Sequence, residues 1–180
     1  MVKELNKSFS NTSTNSIDSG IFDVDDLIET SDGHKMNTGD VARMILSEAQ
    51  KESRLICGLN NVSKYLRETE NPEHSLFFFI VPSSSGDSLT HMQEIVLQSF
   101  CFENDIYIIK IDSAKKLNRI LGSKNCDTCA LVQRSAVLDM KNEDEEIDID
   151  KFTELENILI DHCEEFWSEP VQPIIRLPEK

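Results

Sequence analysis

The sequence predicts an α/β domain, a three-layer α/β/α sandwich built around a mixed sheet of four or five strands. Residues 76–81 and 106–111 are short, mostly apolar runs rich in aromatic or β-branched side chains, which is typical of strands covered on both faces. Around them lie longer segments with apolar residues at helical spacing. Helices that alternate with short buried strands favour one sheet with helices on both faces, and no internal repeat is present.

Helical spacing and capping residues predict five helices. Thr38 or Asp40 can cap the first helix, and Ser113 can cap the fourth, which Gly122 closes. The second helix ends before Pro72, because the residue preceding a proline disfavours helical geometry. The expected helices cover residues 38–53, 58–70, 89–102, 114–121 and 151–167.

The strands are expected between these helices. Residues 174–175 lie between Pro173 and Pro178, so they can form only a short strand at the edge of the sheet. The expected strands cover residues 55–57, 76–81, 106–111, 129–132 and 174–175.

The third helix is more apolar than one buried face requires. On a helical wheel one stripe has the spacing of a core-facing side, and it consists of Leu89, Met92, Val96 and Phe100. Leu97 and Cys101 lie on one side of the stripe, and Ile95 and Phe102 lie on the other. This helix therefore has a second surface to bury, which indicates a partner.

The length and the charge of the chain limit its possible domain organisation and partners. The chain has 180 residues, and 33 Asp and Glu against 18 Lys and Arg give a formal net charge of −15. We expect one domain over residues 38–180, preceded by a polar, disordered tail over residues 1–37. The acidic charge makes nucleic acid an unlikely partner and favours basic proteins, because phosphate affinity comes mainly from clustered Lys and Arg.

One island interrupts the polar tail. Residues 21–28 combine acidic and apolar side chains. They can be a short linear motif that folds against a partner, or a local cluster with no role, and the second interpretation is the commoner one for such islands.

Five cysteines, an odd number, predict a reducing nuclear or cytoplasmic setting rather than a secreted disulfide framework. Cys126 and Cys129 have the spacing of half a zinc site or of a redox pair, but no second pair accompanies them in the sequence. Ordinary thiols are the favoured interpretation. No apolar run approaches the ~20 residues of a membrane span, and the N-terminus carries no hydrophobic signal core, so we expect an intracellular soluble protein.

No combination of residues predicts catalysis. Glu103 and Asp105 lie at a helix–strand junction, where a turn role is favoured over acid–base chemistry. His162 with Glu164 or Glu165 could form a proton-transfer pair, although exposed pairs of this kind usually have no chemical role. The sequence contains no glycine-rich phosphate loop. We therefore expect no enzymatic activity, cofactor or metal.

The strongest charge feature is an acidic segment over residues 143–150. It can be a solvated connection or an electrostatic docking site for a basic partner, which would steer association. The candidate docking residues are Glu143, Asp144, Glu145, Glu146, Asp148 and Asp150.

Two motifs resemble the growth-arrest and DNA-damage-inducible stress protein family. Residues 98–106, QSFCFENDI, are similar to that family's helix ending in Phe-Cys followed by Glu-Asn-Asp-Ile and a strand. Residues 173–180, PIIRLPEK, are similar to its terminal Pro-x-Ile-x-Leu-Pro-Glu-basic ending. Residues 129–132 and the Cys163-x-Glu165 region also align, so the resemblance covers about residues 40–180.

This resemblance implies a non-enzymatic adaptor with the ribosomal-protein-like fold of kink-turn RNA binders. Such proteins bind and activate a MAP kinase kinase kinase by relieving its autoinhibition, upstream of JNK and p38 signalling. They also bind the replication clamp PCNA, a cyclin-dependent kinase with its cyclin, and a cell-cycle kinase inhibitor. The implied setting is the nucleus and cytoplasm.

The resemblance further implies a homodimer formed by the second and third helices of each protomer. Ser63 and Ser99 fall where the family has alanine, and small side chains let helices approach closely. The implied interface residues are Leu59, Ser63, Leu66, Ile95, Val96 and Ser99.

Two departures from the family leave alternatives open. The family's acidic loop after its second long strand corresponds here to the nearly neutral residues 83–87, so the kinase-docking segment could be either this loop or residues 143–150. Gly58, Asn60 and Lys64 resemble the Gly-x-Asn-Glu-x-x-Lys motif of the RNA-binding relatives, although Asn61 replaces its glutamate. Kink-turn RNA binding is therefore the alternative function.

Overall fold

The computed structural model describes residues 27–29, 35–83, 88–123, 127–135, 152–167 and 171–179. The predicted fold class is confirmed: a mixed five-stranded sheet lies between two layers of helices. The helices are α1 (Thr38–Lys51), α2 (Leu59–Glu68), α3 (Ser88–Glu103), α4 (Ala114–Ile120) and α5 (Glu154–Glu165), with one 3-10 turn at Pro72–His74.

The strands follow the predicted positions and add a pair before the domain. The first two are β1 (Leu27–Glu29) and β2 (Lys35–Asn37), which pair antiparallel. The tail predicted for residues 1–37 thus contains two short strands, and residues 1–26 lie outside the described part of the chain. The others are β3 (Leu55–Cys57), β4 (Ser75–Ile80), β5 (Tyr107–Ile111), β6 (Cys129–Gln133) and β7 (Ile174–Ile175).

The sheet has the order β3-β6-β4-β5-β7. Strand β6 pairs antiparallel with β3 and β4, whereas β5 pairs parallel with β4 and β7. Because β4 runs parallel to β5 and antiparallel to β6, the ends of β3, β4 and β5 and the start of β6 share one edge of the sheet. The turns that follow Cys57, Ile80 and Ile111 therefore lie at that edge.

Strand β4 is buried along its whole length, as its apolar sequence predicts. Its side chains alternate between the two layers: Phe77 and Phe79 pack with α1, α4 and α5, whereas Phe78 and Ile80 pack with α2 and α3. Alternation of side chains along a strand makes this division unavoidable.

The core-facing stripe predicted for α3 is wrong at three of its four residues, whereas the fourth, Phe100, is half-buried against the core. Leu89, Met92 and Val96 are exposed by 77%, 67% and 61%. The residues that α3 buries are Glu94, Leu97 and Cys101, which share another face at helical spacing. The count of apolar residues on a wheel favoured the wrong side because the larger apolar face is mostly exposed to solvent.

The buried side chain of Arg54 connects the start of α5 to the sheet. Thr153 caps α5 in a capping box with Glu156, which replaces the predicted start near residue 151. The same Glu156 lies 3.4 Å from Arg54, whose guanidinium also donates to the carbonyl of Gln133 in β6. A buried charge needs such partners, so this group fixes α5 against the sheet.

The C-terminal segment closes over the N-terminus of α1. A Cβ atom added to Gly39 would overlap the carbonyl oxygen of Arg176. The segment is also held by Lys116, which donates to the carbonyl of Leu177 at 2.8 Å, and by Asp112, which accepts from the backbone amide of Leu177 at 3.1 Å. Gly39 is thus required by a close approach of two backbones.

We predict that Gly39→Ala destabilises the protein by about 1–3 kcal/mol, because an added methyl group overpacks the contact with Arg176. Helix propensity alone predicts the opposite sign, since alanine in a helix is better than glycine by about 1 kcal/mol. Urea unfolding followed by circular dichroism measures the difference. Gly122→Ala is the control: a Cβ there meets no atom within 4 Å, and only the positive φ of 56° opposes it. A more stable Gly39→Ala variant would contradict the contact.

Candidate interaction surfaces

The most prominent surface is the uncovered apolar side of α3. Five large apolar side chains of this helix are exposed by about half or more: Leu89, Met92, Ile95, Val96 and Phe102. We call these five residues the α3 apolar face. Contiguous apolar surface of this kind marks a binding site more often than isolated exposed residues do.

The residues predicted for a dimer interface divide between this face and α2. Ile95, Val96 and Ser99 are exposed on α3, and Leu59 and Ser63 are half-buried on α2. Leu66 is different, since it is 3% exposed and packs in the protein's own core, so it offers almost no surface to a second copy. The other five predicted residues remain accessible.

A buried carboxylate fixes the position of α3. Glu94 is 3% exposed, and its Oε2 accepts hydrogen bonds from the hydroxyl of Ser83 at 2.8 Å and from its backbone amide at 3.3 Å. These bonds tie α3 to the chain that leaves β4. Glu94 lies three residues before Leu97 and seven before Cys101, so helical spacing places it on the side that these two residues bury.

The second candidate surface is the turn before α2, at the sheet edge. Gly58 has a φ of 87°, and a Cβ added there would lie 2.9 Å from Oδ1 of Asp127. Asn61, in place of the glutamate of the RNA-binding motif, donates to the carbonyl of Cys57 at 2.9 Å. Asn60 and Lys64 are exposed in the first two turns of α2, directly after Gly58. The three residues predicted for RNA contact therefore lie around one turn.

Asp127 gives this turn a negative charge. Its carboxylate accepts from the hydroxyl of Ser123 at 2.9 Å, and the Asn118 amide binds both its backbone amide and its carbonyl, at 3.0 Å and 2.9 Å. A carboxylate near Gly58 interacts favourably with the positive N-terminal end of α2. The same carboxylate would repel a phosphate bound at that end. Sequence reasoning missed Asp127 because its nearness to Gly58 depends on the pairing of β3 with β6.

Several thiols of the described residues have raised pKa values. Burial raises the pKa of Cys101 and of Cys129 to about 12, and burial with the nearby Asp127 charge raises the pKa of Cys57. Such thiols are protonated near neutral pH and are poor nucleophiles and metal ligands. No group of three or more metal-ligating side chains occurs among the residues described, which exclude Cys126.

The helix–strand junction after α3 has a turn geometry. Asp105 has a φ of 54°, and the amide of Ile106 donates to the carbonyl of Cys101 at 2.9 Å, as in helix ends that stop with a left-handed residue. Glu164 accepts from the hydroxyl of Tyr107 at 2.9 Å, and the ring of His162 packs against Phe166 with centroids 5.1 Å apart. Asp105 therefore has a structural role in ending the helix, and Glu164 has one as the acceptor for Tyr107.

Several predicted sites lie outside the described residues. These are the acidic docking residues Glu143, Asp144, Glu145, Glu146, Asp148 and Asp150, most of the acidic and apolar island at residues 21–28, and most of the loop at residues 83–87. Among the helices that the structure describes, none combines the length and the apolar character needed to span a bilayer.

A mixed sheet between two helical layers, with its turns gathered at one edge, defines a ribosomal-protein-like α/β/α domain. The chain belongs to the ribosomal protein L7Ae/L30e/S12e/Gadd45 family, whose sequence model matches residues 41–139. Its structure is similar to that of the Giardia lamblia 15.5kD RNA binding protein, with a TM-score of 0.51 and 11% identity over 71% of this chain and 88% of that one. A likeness at this identity shows the fold alone. No curated protein matches the sequence significantly.

Proposed function

We propose that this protein is a non-enzymatic stress-response adaptor that acts as a homodimer and activates a MAP kinase kinase kinase. The observation that carries the proposal is the α3 apolar face, whose five large side chains are exposed by about half or more. Membership of a family that includes the stress proteins supports it. So do the Phe-Cys-x-Glu-Asn-Asp-Ile and terminal Leu-Pro-Glu motifs.

The adaptor would act on the kinase by differential binding. If it binds the open form of the kinase more tightly than the autoinhibited form, it shifts the kinase population toward the open form. The acidic segment at residues 143–150 would attract a basic regulatory segment of the kinase, and the net charge of −15 would speed their encounter. Residues 83–87 are the other candidate docking loop.

Further partners follow from the same resemblance. We propose PCNA, a cyclin-dependent kinase with its cyclin, and a cell-cycle kinase inhibitor as partners, and the nucleus and cytoplasm as the setting. A homodimer through α2 and α3 would leave the opposite layer of helices available to them. Affinity capture from stressed cells tests the main partner, because a MAP kinase kinase kinase should dominate the eluate.

The dimer yields a direct prediction. Ser99→Glu places a carboxylate on the exposed side of α3 beside Ile95 and Val96, where dimerisation would bury it. Burial of an unpaired charge costs several kcal/mol, so the dimer dissociation constant should rise by about 100-fold or more. Sedimentation velocity over a concentration series measures this change.

A matched variant separates this effect from added charge. Asn157→Glu adds the same charge on the exposed side of α5, in the other helical layer, and should leave the dimer unchanged. Unaltered sedimentation of the Ser99→Glu variant would rule out the proposed interface. A wild-type protein that sediments as a monomer at all concentrations would do the same.

A second prediction concerns the acidic segment. Lysine at Glu143, Asp144, Glu145 and Glu146 should weaken capture of the kinase regulatory region, most strongly in low salt, because charge attraction is screened as salt rises. Four exposed acids elsewhere, Glu48, Glu70, Glu73 and Asp161, changed to lysine provide a control with the same net charge. If both variants capture less of the kinase regulatory region to the same extent, net charge is responsible for the loss. If neither does, residues 143–146 are not the docking segment.

Kink-turn RNA binding is the second candidate function. It is favoured by the fold shared with a protein named as an RNA binder and by the grouping of Gly58, Asn60 and Lys64 around one turn. It is opposed by the net charge and by the Asp127 carboxylate beside Gly58. We regard protein binding as the better supported function.

We accordingly predict no specific shift of a kink-turn RNA by this protein in a gel at about 150 mM salt, where RNA affinity depends on clustered positive charge. If a shift occurs, Lys64→Glu should abolish it and Lys51→Glu, a change of the same kind at the exposed end of α1, should not. That pattern would replace the adaptor proposal with the RNA-binding one.

A further inference from the structure

Three aromatic rings meet where α3 ends, β5 begins and α5 ends. Phe102 and Trp167 stack with centroids 5.1 Å apart and an interplanar angle of 14°. Tyr107 meets Trp167 at 76° with centroids 5.8 Å apart. The rings of Tyr107 and Trp167 therefore form two walls of a corner, beside an open cavity of about 380 Å³ lined by Asp105, Tyr107, Glu164 and Trp167.

The walls of this cavity are supported from behind. The Tyr107 ring packs against Phe77 of the core with centroids 6.1 Å apart, and its hydroxyl donates to Oε1 of Glu164 at 2.9 Å. Burial and the Glu164 carboxylate raise the pKa of Tyr107 to about 12, so the phenol remains a neutral donor at physiological pH. Glu164 is thereby held in place as a carboxylate facing the cavity.

The described residues that line the cavity are two carboxylates and two aromatic rings. Among the described residues, neither Asp105 nor Glu164 forms an ion pair. Arg134 is near enough to Tyr107 to act on its pKa, but its guanidinium carbon lies over the Phe152 ring, 5.2 Å from the centroid. The Arg134 guanidinium thus contacts a ring that does not line the cavity.

We propose that this cavity binds an arginine side chain of a basic segment in a partner protein. A planar guanidinium can stack on an aromatic face and donate to carboxylates at the same time, which a compact ammonium does less well. Phosphate and other anions are excluded by Asp105 and Glu164. The acidic surface of the whole chain attracts the same class of partner.

This site is separate from the functions proposed above. It uses the ends of α3 and α5, whereas the proposed kinase dock lies at residues 143–150 and the RNA alternative lies at the turn before α2. Phe102 belongs to the α3 apolar face and also stacks on Trp167, so a segment bound at the cavity would lie next to that face.

The chain contains one tryptophan, so the fluorescence of Trp167 reports on this cavity directly. The native protein is titrated with the peptide acetyl-Gly-Ser-Arg-Ser-Gly-amide and with the same peptide carrying citrulline, which keeps the shape and loses the charge. We expect a saturable change with the arginine peptide, with a dissociation constant on the order of 1 mM, and weaker binding of a lysine peptide. An equal response to the citrulline peptide would overturn the proposal.

Two double variants remove equal charge at different places. Asp105→Asn with Glu164→Gln should weaken binding at least about fivefold, since both carboxylates contact the guanidinium. These changes are conservative, because asparagine tolerates the left-handed backbone at Asp105 and glutamine can still accept from Tyr107. Asp161→Asn with Glu165→Gln removes one Asp and one Glu from exposed positions of α5 that do not line the cavity, and binding should stay within about twofold. Equal weakening in both double variants would assign the effect to net charge and overturn the site.

Discussion

Burial of β4 on both faces is the constraint on which the rest of this structure depends. A strand with Phe77 and Phe79 on one side and Phe78 and Ile80 on the other is stable only if helices cover both sides. The two layers are unequal, however. Among the helices that the structure describes, three cover the first side and two, α2 and α3, cover the second. The layer of α2 and α3 carries the α3 apolar face and the turn before α2.

The way α3 is held explains why it keeps an apolar side in solvent. Leu97 and Cys101 bury the face next to the sheet, and the hydrogen bonds from Ser83 to Glu94 fix the rotation of the helix about its axis. Turning the helix to bury Leu89 and Val96 instead would move Glu94 and Cys101 away from these contacts. The exposed apolar side is therefore a consequence of how the helix is anchored, and it is available for a partner.

Charge separates the possible functions of this fold more clearly than shape does. The turn at Gly58 has the backbone form that brings Asn60 and Lys64 together, yet Asp127 lies against it. At the other end of α3, Asp105 and Glu164 line a corner of aromatic rings. Both features favour cationic protein groups over phosphates, in agreement with the acidic composition of the whole chain.

The sequence by itself determined the fold class, the order of the elements from α1 to β7 and most of their ends. Short apolar runs such as β4, and the cap Ser113, act through neighbours in the chain, so they can be recognised locally. The cap predicted for α1, Thr38 or Asp40, is wrong, because the side chain of Asn37 accepts from the Gly39 amide instead. Only the tertiary structure decided which side of α3 faces the sheet, that Leu66 is buried, and that Asp127 adjoins Gly58. These outcomes depend on contacts between residues far apart in the chain, and the spacing of apolar residues along one helix contains no information about them.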